Sequence, residues 1–140
     1  PQPLENGKPH QFISVRNEDK EAICPIARTL QEAGFNIFTT FGTYQALWRA
    51  GIPATKLPKL SEGRPNIADY IKNGKVQLII NTPTRKGPAT DEGQIRAMAV
   101  LQRVPIVTTM TGAKAAAQAI LELQKRGWDV RPLQDYHKKN

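Results

Sequence analysis

Five short stretches of the chain collect hydroxyls, amides, glycines and cations. In order they hold Ser14, Arg16, Asn17 and Lys20; Thr39, Thr40, Gly42 and Thr43; Lys56, Lys59, Gly63 and Arg64; Asn81, Thr82, Thr84, Arg85, Lys86 and Gly87; and Thr108, Thr109, Thr111, Gly112 and Lys114. Each residue type suits a phosphate. A helix N-terminus presents free N–H groups and the positive end of a dipole, glycine lets backbone come close, and Thr or Lys adds donors. The sharpest single signal is Thr40-Phe41-Gly42-Thr43 at a strand-to-helix turn, although Thr and Gly also populate ordinary caps and turns.

Groups that move protons are scarce in the same stretches. His10 and His137 fall near the two ends of the chain, and the nearby carboxylates are Glu18, Asp19, Glu62, Asp91 and Glu92. Asp19 and Asp91 stand where helix caps belong. A binding site fits better than an active one, so no catalytic residue and no metal ligand is assigned. Cys24 is the lone cysteine, which excludes an intrachain disulfide and a cysteine-based zinc site; within a helix it reads as a small core or boundary residue. Trp48 and Trp128 are expected to be packing anchors.

The elements that position these stretches follow from period. Short apolar runs at Gln11–Val15, Asn36–Thr39, Ala54–Leu57, Val76–Asn81 and Pro105–Thr108 read as strands, and amphipathic stretches of helix length follow them. The helices are expected over Lys20–Ala33, with Asp19 as cap, Gly34 as stop and a bend at Pro25; Thr43–Ala50; Ile67–Lys72, capped by Asn66; Asp91–Arg103; and Gly112–Lys125. Strands alternating with helices make a three-layer, doubly wound α/β fold around a parallel sheet of about five strands. In such sheets ligands bind beyond the carboxyl ends of the strands, where all five polar stretches lie.

Composition bounds the rest. The chain has 140 residues, 39% hydrophobic and 23% charged, which is the make-up of a single globular domain. Residues 1–9 are expected to form a linker or tail ahead of a domain over 10–140. No apolar run approaches membrane-spanning length and no leader is evident, so a cytoplasmic protein is the default. The formal charge of +8 points to an anionic partner. Nucleic acid is disfavoured, because the basic residues are spread along the chain and Phe12, Phe38 and Tyr44 fall on expected elements.

Several segments together resemble a known family. Phe12-Ile13-Ser14-Val15-Arg16 with Asp19-Lys20, Thr40-Phe41-Gly42-Thr43, Lys59-Leu60-Ser61-Glu62-Gly63-Arg64-Pro65, Ile79-Ile80-Asn81-Thr82 and Thr108-Thr109 are similar to the carboxy-terminal domain of the carbamoyl-phosphate synthase large subunit. The resemblance implies a methylglyoxal-synthase-like fold and a regulatory domain that binds a nucleoside monophosphate such as UMP or IMP. It implies that Ser14, Lys20, Thr40 and Thr43 hold the phosphate, that Lys59, Asn81, Thr82 and Thr84 reach ribose or base, and that Thr108 faces the side from which ornithine approaches in members that sense it. Ile106 and Val107, where those members carry more polar residues, argue against ornithine sensing here. No cofactor is implied for the domain itself. The parent enzyme, which the resemblance describes as ATP-dependent with Mg or Mn and as serving pyrimidine and arginine synthesis, would supply the partners: the rest of the large subunit and the glutaminase small subunit. The alternative is an enzyme of the methylglyoxal synthase type acting on dihydroxyacetone phosphate. Against it, Asn66 stands where that enzyme's catalytic Asp falls, and Asp91 alone remains of its acid–base set.

Overall fold

Val76–Asn81 is buried at every residue, as a strand covered on both faces must be. It is the fourth of five strands in a computed structural model that describes residues 9–83 and 91–127. The strands are β1 (His10–Ser14), β2 (Asn36–Thr39), β3 (Thr55–Lys56), β4 (Val76–Asn81) and β5 (Ile106–Val107). The helices are α1 (Lys20–Glu32), α2 (Phe41–Arg49), α3 (Ile67–Lys72), α4 (Asp91–Leu101) and α5 (Met110–Lys125), with a short 3-10 turn at Asn17–Asp19. No helix among the described residues is long and apolar enough to cross a membrane.

All pairings are parallel, in the order β3-β2-β1-β4-β5. The chain winds outward from β1 to β3, then crosses back to β4, so the order reverses between β1 and β4 and opens a crevice at their carboxyl ends. Ile13, Ile37, Leu78 and Ile80 pack with Ile23, Leu30 and Leu47 and with Ala113 and Ala117, from α1, α2 and α5, on one face. Phe12, Phe38 and Ile79 pack with Ile67, Ile71, Ile95 and Ala99, from α3 and α4, on the other. This is the three-layer arrangement expected. Phe12, Phe38, Ile79 and Ile80 are fully buried, each contributing roughly 1.5–3 kcal/mol.

Three helix boundaries differ from expectation by two residues. α2 and α5 begin at Phe41 and Met110, two residues ahead of Thr43 and Gly112, because Gly42 and Gly112 lie within first helical turns rather than before them. α4 ends at Leu101, and Arg103 then takes φ 58°, the left-handed turn that glycine adopts most easily. Trp48 is 70% exposed and so is not the packing anchor expected; Thr43 and Leu47 are the buried residues of α2.

Candidate functional site

Side chains alternate along a strand, and that alternation divides the carboxyl edge of the sheet into two clefts. Ser14 and Asn81 are register partners on β1 and β4. Both point to the α3–α4 side, where with Phe12, Thr40, Lys59, Ile67 and Asp91 they line a cleft of about 370 Å³. Thr82, one residue further, points to the other side and lines a cleft of about 350 Å³ with Arg16, Thr108 and Thr109.

The first cleft has a hydroxyl end. Ser14 Oγ and Thr40 Oγ1 are hydrogen-bonded at 2.9 Å. Thr40 is the N-cap of α2 but makes no side-chain cap bond, so the N–H groups of the first turn lack that partner. Beside this turn lies the Lys20 amine, which donates to Asn17 Oδ1 at 2.6 Å. A methyl group at position 42 would come within 2.7 Å of Lys20 Nζ, so glycine there is what lets the amine rest against α2. Asn81 is the second feature of the cleft. It is 1% exposed, and neither its Oδ1 nor its Nδ2 has a hydrogen-bond partner among the described residues. A buried amide left so carries a penalty of about 1–3 kcal/mol.

The opposite end is acidic, formed by Asp91 and Glu92, two of the carboxylates expected near this edge of the sheet. Asp91 is the first residue of α4, and its Oδ2 accepts the Leu60 N–H at 3.0 Å. Glu92 lines the cleft beside it. The loop carrying Lys59 is thus held twice, since the Lys59 N–H also donates to Glu62 Oε1 at 2.9 Å. The detectable signal was position: α4 begins beyond β4, at the reversal point of the strand order.

The structure brings Ser14, Thr40, Lys59 and Asn81 to one cleft, with Lys20 beside it, and separates the other expected site residues. Thr43 is 1% exposed, and its Oγ1 accepts the Val15 N–H at 3.1 Å; its hydroxyl fastens α2 to the end of β1. Thr82 Oγ1 accepts the Arg16 N–H at 3.0 Å in the second cleft, where Thr108 also lies. Thr84, with Arg85, Lys86 and Gly87, lies outside the described residues. Asp19, expected to cap α1, makes no cap bond and instead accepts from Arg16 Nε at 2.9 Å.

Asn66 is the cap it was expected to be. Its Oδ1 accepts the Ala68 N–H at 3.0 Å, its Nδ2 donates to the Gly63 carbonyl at 2.9 Å, and its N–H reaches Asp69 Oδ2 at 2.8 Å. The Arg64 guanidinium hydrogen-bonded to Asp69, and then the Asn66 N–H, hold that carboxyl below its ordinary range. Burial pushes the Cys24 thiol up, away from nucleophilic use.

Residues 22–108 match the model of the MGS-like domain. The carbamoyl phosphate synthase large chain of Rhizobium meliloti (strain 1021) is 46% identical over 125 residues, covering 89% of this chain and 11% of that one. The large chain of Acidobacterium capsulatum is 47% identical over 126 residues, covering 90% and 12%. The chain therefore spans 11–12% of the length of these relatives. Among solved structures, methylglyoxal synthase from Elizabethkingia anophelis NUHP1 superposes with a TM-score of 0.61 at 13% identity, over 79% of this chain and 77% of that one, which bears on the fold alone. With the matched region running from α1 to the end of β5, and the same wound sheet beneath it, the chain belongs to the MGS-like domain family.

Proposed function

We propose that this chain is the regulatory domain of a carbamoyl phosphate synthase large chain and that it binds a nucleoside monophosphate of the UMP or IMP kind in the cleft between β1 and β4. The observation that carries the reading is the buried Asn81 amide, unpartnered among the described residues, lining a cleft with hydroxyls at one end. The phosphate lies at Ser14, Thr40 and the first turn of α2, with the Lys20 amine as countercharge. Asn81 and Lys59 reach the ribose, and the carboxylates of Asp91 and Glu92 accept from hydroxyl or N–H donors further along. Leu60, Ile67 and Ile95 give the base an apolar wall. A volume of about 370 Å³ falls in the range of small-ligand pockets.

Regulation then follows from linkage. A ligand that binds this domain differently in two states of the parent enzyme shifts the balance between them. In this reading the parent, with its glutaminase subunit and its ATP and Mg or Mn, makes carbamoyl phosphate for pyrimidines and arginine.

Replacing Lys20 with Ala removes one charge-assisted contact, worth about 1.5–3 kcal/mol or roughly 10- to 150-fold in affinity. Calorimetric titration should show that loss for UMP and almost none for uridine. Equal loss for both would refute the phosphate assignment. Asp91 and Glu92 keep a second reading in view, phosphate elimination from dihydroxyacetone phosphate, since a carboxylate on the cleft is what a general base requires. Asn66 is spent on its cap and supplies no such base. Phosphate release above the uncatalysed rate, abolished by Asp91→Asn, would favour the enzyme.

A further inference from the structure

The carboxylates of the first cleft stand against its apolar wall. Asp91 and Ile95 are one turn apart on α4 and so share a face of that helix, and both line the cleft together with Glu92. Asp91 Oδ2 takes the N–H of Leu60, another residue of the same wall, and a carboxylate has lone pairs for further donors. A planar ring lying on Leu60, Ile67 and Ile95 therefore turns its edge toward Asp91 and Glu92. The same cleft holds the Asn81 amide, 1% exposed and without a hydrogen-bond partner among the described residues, which is a vacancy that a polar ligand fills.

We propose that the base read at this end is guanine, so that among nucleoside monophosphates the cleft prefers GMP. The inference rests on the nucleotide reading above and names the base within it. With the phosphate at Ser14 and Thr40, the acidic end meets the side of a purine that is remote from its ribose. A carboxylate only accepts hydrogen bonds. On that side guanine carries two neighbouring donors, N1–H and the 2-amino group, which suit paired carboxylate oxygens. Hypoxanthine has N1–H alone. The N3–H of uracil is flanked by two carbonyl oxygens, which the carboxylates repel, and adenine and cytosine set a ring nitrogen that only accepts beside their amino group. One added charge-assisted hydrogen bond makes GMP about tenfold tighter than IMP, with UMP weaker again. If Asp91 and Glu92 serve only the dipole of α4, as acidic residues in a first turn do, the identity of the base makes no difference.

Calorimetric titration of the chain with GMP, IMP, UMP and xanthosine monophosphate tests this. GMP should bind about tenfold tighter than IMP. Xanthosine monophosphate, which keeps the purine ring but replaces the amino donor with an oxygen, should bind more weakly than either. In the double variant Asp91→Asn, Glu92→Gln, the amide oxygen at position 91 can still take the Leu60 N–H. There GMP should fall about tenfold, to the level of an IMP affinity that changes little, and the retained IMP binding shows that the variant folds. IMP, UMP or xanthosine monophosphate binding the parent chain as tightly as GMP would overturn the proposal and leave the nucleotide site standing, and needs no variant to be read. A preference for GMP that survives in the double variant would overturn it as well. A chain that binds none of the four would remove the nucleotide reading itself, and the choice of base with it.

Discussion

Gly42 offers the most discriminating perturbation of the site, because stability and binding should move apart. In Gly42→Ala the new methyl group would sit 2.7 Å from Lys20 Nζ and 3.2 Å from its Cε. These atoms are the far end of a flexible side chain, so the amine moves and the backbone stays. The helix itself gains, since Ala in place of Gly within a helix is worth up to about 1 kcal/mol, and less in a first turn. The amine must retreat by about an ångström to restore contact distance. Moving one charge from about 3 to about 4 Å from a phosphate charge, at an effective dielectric near 20, costs roughly 1.4 kcal/mol, or about tenfold in affinity. Paired titrations of UMP and uridine, with denaturant unfolding of the same samples, should show unchanged or raised stability, about tenfold weaker UMP binding and unaltered uridine binding. If the variant binds UMP as the parent does while Lys20→Ala does not, the amine does not depend on the glycine. If both ligands weaken together, the cleft itself has been distorted.

Three further outcomes are expected. Asn81→Leu removes a buried amide without partners among the described residues, so the ligand-free chain should resist denaturant better by about 1 kcal/mol while UMP binding is lost; a destabilised variant would show that the amide is satisfied. Arg103→Gly relieves a left-handed residue at φ 58° and should stabilise by up to about 1 kcal/mol, read from the denaturation midpoint, with no change in ligand affinity. Asp69 should titrate below the ordinary carboxylate range in an NMR pH series, because Arg64 and the Asn66 N–H favour its charged form. Its depressed folded-state value means that its contribution is complete above the unfolded carboxylate pKa and is lost as pH falls through the folded one; Arg64→Ala should move the midpoint up, and a midpoint already at the ordinary value would remove the pairing from the account.

Sequence carried the strands well because each is a short apolar run bounded by polar loops, and β2 and β4 lie at the residues expected, Asn36–Thr39 and Val76–Asn81. Helix starts were harder where glycine intervened. Gly42 and Gly112 read as turn residues, yet each is a first-turn position where a side chain would collide, with Lys20 in one case and with Val107 and Thr109 in the other. Among candidate site residues, residue type identified Ser14, Thr40 and Asn81 but could not separate Thr43 and Thr82 from them. All five are small, polar and near strand ends; what divides them is the direction each side chain takes, set for Ser14, Asn81 and Thr82 by the register of β1 against β4 and for Thr40 and Thr43 by how the first turn of α2 docks on β1. Asp91 was legible as a helix-start carboxylate, and only the folded loop shows that it holds Leu60.

The neighbouring pair Asn81 and Thr82 makes this edge of the sheet sensitive to counting. Consecutive side chains serve opposite clefts, so inserting or deleting a single residue within β4 would present the hydroxyl where the amide belongs and the amide where the hydroxyl belongs. A two-residue change would restore the facing but displace the pair by roughly 6.6 Å along the strand, out of step with Ser14. The strand can thus exchange residues but cannot change length without moving the amide and the hydroxyl out of their clefts.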